Sequence, residues 1–109
     1  MQSTYQSQQG LLKTEYVYDG DKVYNHAIKR IADSRACPGP SMLGSFQFQI
    51  CQLFNCCPPL RPMWNWTHRR VEALRTERQY QGYTDAERME CLVKELPDAI
   101  LECLTAAAA

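Results

Sequence analysis

No run of apolar residues in this 109-residue chain approaches the roughly 20 that a membrane-crossing helix needs. Net charge is missing too: 12 basic side chains meet 12 acidic ones. Binding to a phosphate backbone draws on uncompensated positive charge, so the balance argues against nucleic acid as a partner. Glycine is scarce, with five residues, which leaves little loop for cradling phosphate. No P-loop, no G-x-S-x-G and no H-E-x-x-H segment occurs. Only two histidines are present, His26 and His68, and both fall on polar helix faces beside basic residues. C-x-x-C is absent, which removes the usual frame of a structural zinc site and of a thioredoxin-like redox centre. The opening segment "MQSTYQSQQG" lacks the apolar stretch of a signal peptide, so an intracellular or organellar setting is the expectation. Together these absences predict a non-catalytic protein that uses no cofactor and no metal.

What is present is helical. Hydrophobic residues make up 45% of the chain and charged residues 22%, an ordinary globular balance. Residues 1–12 read as a polar tail, 13–105 as one helical domain and 106–109 as an alanine tail. Thr14–Tyr18 reads as a short extended piece. Val23, Tyr24, Ala27, Ile28, Ile31 and Ala32 then recur at helical spacing, with Asp19 and Asp21 at the start and "CPGP" (37–40) at the stop.

The stretch "GSFQFQICQLFNCCPP" (44–59) carries all three phenylalanines and three of the six cysteines. Alternation of Phe46, Phe48 and Ile50 suits a strand but fails after Ile50. A helix capped by Ser41 accommodates Leu43, Phe46, Ile50, Leu53, Phe54 and Cys57 and is preferred, with the phenylalanines and Ile50 in the core. Pro58, Pro59 and Pro62 follow as a rigid connector. A third helix runs from Met63 to about Gln81, and Gly82 suits the turn after it. Thr84 and Glu87 form a capping box for the last helix. Its apolar stripe is Met89, Leu92, Val93, Leu96, Ile100, Cys103 and Leu104, and Pro97 should kink or split it. The expected fold is all-α: a small irregular bundle of four to five short helices with a short extended N-terminal segment.

Six cysteines permit disulfide stapling of that bundle. Nested pairing would join Cys37 to Cys103 and Cys51 to Cys91, because 14 and 12 residues separate the members of each arm. Cys91 falls with Arg88, Glu95, Asp98 and Glu102, off the apolar stripe, which singles it out for bonding or for contact with a partner. Free buried thiols are the competing reading. A cysteine–histidine pair using His68 has no sequence signature either way.

The third helix is rich in arginine (Arg61, Arg69, Arg70, Arg75, Arg78) and the last is acidic. Mutual compensation in an antiparallel hairpin is favoured over a nucleic-acid surface. Trp64 and Trp66 stand two residues apart and so point in different directions on a helix. The functional expectation is a protein-interaction module, an accessory or adaptor subunit, that meets a protein partner through Trp64, Trp66, Arg69 and Arg70. The alternatives are a secreted, disulfide-stapled protein for a receptor or apolar small molecule, and a nucleic-acid binder using the arginine helix.

Overall fold

A computed structural model describes residues 2–7, 14–35 and 41–108 of the chain. The elements are strands β1 (Gln2–Ser7) and β2 (Thr14–Asp19), then helices α1 (Gly20–Arg35), α2 (Met42–Cys56), α3 (Met63–Thr76) and α4 (Asp85–Ala108). Single turns of 3-10 helix, Pro58–Leu60 and Arg78–Tyr80, connect α2 to α3 and α3 to α4. The body is the all-α bundle expected. Part of the segment read as a polar tail is strand β1, paired antiparallel with β2 so that Tyr5 stands opposite Tyr16.

Local chemistry places each helix start. Asp19 accepts from the amides of Asp21 (3.0 Å) and Lys22 (3.3 Å) at the head of α1. The Lys22 amide is the main cause holding the Asp19 carboxyl below its ordinary range. Ser41 caps α2 by accepting from the amide of Gly44 (3.2 Å), which rules out the strand alternative for this stretch. The capping box on α4 is complete: Glu87 N–H donates to the Thr84 hydroxyl (3.1 Å), and Thr84 N–H donates to the Glu87 carboxylate (2.9 Å). The "CPGP" stop lies outside the described residues.

Contacts distant in sequence then join these caps. Asp85, the first residue of α4, accepts from the Leu43 amide (2.9 Å) and the Ser41 hydroxyl (3.2 Å) at the head of α2. One carboxylate therefore serves donors at the start of another helix. The third helix stops at Thr76, five residues before the expected end. Arg88 of α4 explains the early stop, since its guanidinium donates to the carbonyls of Leu74 (2.9 Å) and Tyr80 (3.2 Å). Gly82 follows with φ +90°, a conformation side chains resist. Pro97 lies inside α4, which continues as one helix rather than splitting in two.

Leu43, Phe46, Ile50 and Phe54 of α2 meet Val71 and Leu74 of α3, and Leu92, Leu96, Ile100 and Leu104 of α4, in one core. Ala27 and Ile31 close it from α1. The helical period is why α2 buries Phe46 and Phe54 while leaving Phe48 outside; the expectation that all three phenylalanines are core is corrected at Phe48, which is 61% exposed.

Expected charge compensation between α3 and α4 rests on one ion pair, Arg70 with Glu95 (2.8 Å). Glu90, also on α4, turns instead to Arg35 of α1. These exposed or half-exposed pairs contribute little beside the apolar core.

One buried group lacks a partner. The Thr67 hydroxyl is fully enclosed and makes no hydrogen bond among the described residues. A desolvated hydroxyl without a partner costs stability. Thr67→Val keeps the shape and removes the polar atom. It is expected to raise stability by about 1 kcal/mol, read as a higher denaturant midpoint at unchanged slope. A loss of similar size would mean that the hydroxyl has a partner.

Candidate functional site

Trp64 and Trp66 are separated by about 200° around α3 at 100° per residue. The buried residues Met63, Thr67, Val71 and Leu74 lie between their directions, so the two indoles emerge on opposite flanks of the helix. Trp66 is half-buried against the core. Arg70, one turn further on the same flank, is engaged inside the fold. It pairs with Glu95 and donates to the Tyr80 hydroxyl (2.7 Å), with its guanidinium 5.5 Å from the Tyr80 ring centre. Arg69 is exposed on the outer side of α3. The four residues expected to meet a partner are therefore distributed over three faces of α3.

Trp64 belongs to a different group, which sequence reasoning did not assemble. It is 40% exposed, and its ring meets that of His68 one turn along at a tilt of 52°, with ring centres 4.1 Å apart. His68 reaches across to α2. Its Nδ1 lies 2.9 Å from the Gln47 side-chain amide and its Nε2 3.7 Å from the Cys51 thiol. Gln47 and Cys51 are themselves one helical turn apart, as are Trp64 and His68. Two i, i+4 pairs on packed helices thus meet edge to edge. Between them runs a groove of about 410 Å³, with exposed Phe48 on its α2 side. No acidic, lysine or arginine side chain lines it; Gln47, Gln52 and Asn55 supply amide groups.

A thiol beside an imidazole raises the question of nucleophilic chemistry. Cys51 is buried in the middle of α2, away from the positive end of the helix, and burial pushes its pKa up. The reactive thiolate is therefore disfavoured where catalysis would need it. The same contacts suit positioning instead. Gln47 and Cys51 fix the orientation of His68, and His68 fixes Trp64. The indole is presented to solvent already held in place.

Among the described residues no cysteine pair staples the bundle. Cys51, Cys56, Cys57, Cys91 and Cys103 are all free thiols, which corrects the expected Cys51–Cys91 pair. The reason is geometric. Cys51 faces His68 across α2–α3, whereas Cys91 is a half-buried residue of α4 packed on the core. Cys103 donates to the Pro59 carbonyl (3.3 Å). The expected Cys37–Cys103 pair involves Cys37, which lies outside the described residues. Burial raises the Cys57 and Cys103 pKa values, and for Cys103 the neighbouring Cys57 adds to the effect.

Among the described residues no group of three or more His, Cys, Asp or Glu side chains is placed to hold a metal ion. No described helix is long and apolar enough to cross a membrane. No known protein family, curated protein or solved structure matches this chain.

Proposed function

We propose that this protein is a non-catalytic interaction module, an accessory or adaptor subunit of a larger assembly, and that it docks its partner in the α2–α3 groove. One observation carries the reading: Phe48 and Trp64, 61% and 40% exposed, border the same groove on adjacent helices. Large aromatics held outside a small core are the residue type that concentrates binding energy at interfaces. Their fixed setting lowers the ordering cost of association.

The chemistry of the groove supports a partner of one kind. A depression between two packed helices receives a third helix by ridge-into-groove packing. Its lining carries amides but no acidic, lysine or arginine side chain, so the partner offers a largely apolar helix face with polar groups at the edge. Arg69 is outside this contact, and Arg70 acts as an internal strut.

The test is isolation of the protein with its bound partner, followed by binding measurements on the purified pair. Affinity is expected to change by less than about threefold between 0.1 and 1 M salt, because screening acts on charges and no acidic, lysine or arginine side chain lines the groove. Replacement of Phe48 by Ser or Trp64 by Ala should release the same partner. A steep fall in affinity with salt would instead favour the exposed arginines of α3 as the contact and would overturn the groove assignment.

A further inference from the structure

The opposite flank of α3 carries a second site of different character. Where the start of α3 lies against the C-terminal half of α4, a groove of about 430 Å³ opens. Met63, Trp66, Ala99 and Cys103 supply apolar walls. Glu102 is the one charged residue in its lining. Asp98, one turn earlier on α4 and outside the lining, is a second carboxylate at i, i+4, with Lys94 a further turn back. Among the described residues neither Asp98 nor Glu102 has an ion-pair partner. The last turn of α4 contains no basic residue. At the start of α3 the amides of Trp64 and Trp66 donate to the carbonyls of Arg61 and Pro62. The Cys103 thiol is turned to the Pro59 carbonyl.

We infer that this groove binds a small organic cation with an apolar body, an aryl-alkyl or alkyl amine. The apolar part fills the space between Met63, Ala99 and Cys103, and the ammonium group sits between the Trp66 face and the Glu102 carboxylate. The volume is that of a small-molecule site. An aromatic face and an unpaired carboxylate together select positive charge. The site lies away from Phe48 and Trp64, so it stands or falls independently of the docking groove.

Three probes of one shape test the assignment: 4-phenylbutylamine, 4-phenylbutanol and 4-phenylbutanoate. In a Trp64→Phe background Trp66 is the single tryptophan, and its fluorescence reports occupancy of this groove. The amine is expected to shift Trp66 emission saturably and to bind about fivefold tighter than the alcohol, the scale of a partly exposed charge contact. The acid should bind more weakly than the alcohol. Glu102→Gln, a change at an exposed position, should reduce amine binding to the level of the alcohol with a melting temperature no lower than the parent's. Equal affinity for all three probes, no response of Trp66 to any of them, or a preference for the amine that survives Glu102→Gln would each overturn the proposal.

Discussion

Phe54→Ala is expected to lower stability by about 3–5 kcal/mol, whereas Phe48→Ala, on the same helix, should change it by less than about 0.5 kcal/mol. Phe54 is fully buried and Phe48 is 61% exposed. Phe54 sits in the core shared by α2, α3 and α4, so truncation removes buried apolar surface and leaves a cavity that three packed helices cannot easily collapse. A domain of this size holds only about 5–15 kcal/mol in total. The variant should therefore melt about 12–30 °C lower. It should be partly unfolded at physiological temperature. Chemical denaturation of both variants side by side checks the contrast. Comparable losses at the two positions would mean that Phe48 is packed, and with it the exposed side of the groove would disappear.

That contrast also shows what the sequence carried. The helical period distinguishes Phe46 and Phe54 from Phe48, because two residues along a helix turn the side chain to the far side. The strand reading of the same stretch puts Phe46 and Phe48 on one face, and the structure rejects it. Helix starts were legible for a local reason: Asp19, Ser41 and the Thr84–Glu87 box each satisfy amides two or three residues away. What escaped is non-local. Asp85 reaches Leu43 across 42 residues, and Arg88 ends α3 from the next helix. Neither contact leaves a mark in the intervening sequence. The groove shares this property. Its two halves, Gln47 with Cys51 and Trp64 with His68, are visible as i, i+4 pairs, but their meeting depends on how α2 lies on α3. The divergence of Trp64 and Trp66 was legible, and it already argued against one face containing both.

Loss of the Trp64 indole is expected to weaken partner binding about 30-fold or more, the effect of removing an interface anchor worth about 2 kcal/mol. Phe48→Ser should weaken it similarly. The two losses should not simply add, because both side chains border one groove and contact the same partner surface. Neither change touches the buried core, so both variants should melt near the parent. Arg69→Ala, on the outer side of α3, should bind within about threefold of the parent, as surface positions outside a contact do. His68→Ala should fall between these limits. It leaves the indole in place but removes the ring that orients it, so its cost is the ordering of one side chain on binding. A normal affinity for Trp64→Ala together with a large loss for Arg69→Ala would transfer the contact to the arginine face.

Oxidative footprinting of the protein alone and in its complex tests the docking groove most directly. Hydroxyl radicals modify exposed side chains, and mass spectrometry reads each site. In the free protein Phe48, Trp64 and Tyr83 should all react, since each is more than a third exposed. In the complex Phe48 and Trp64 should lose most of their reactivity while Tyr83 keeps its own. Undiminished oxidation of Phe48 and Trp64 in a complex that is otherwise intact would contradict the assignment.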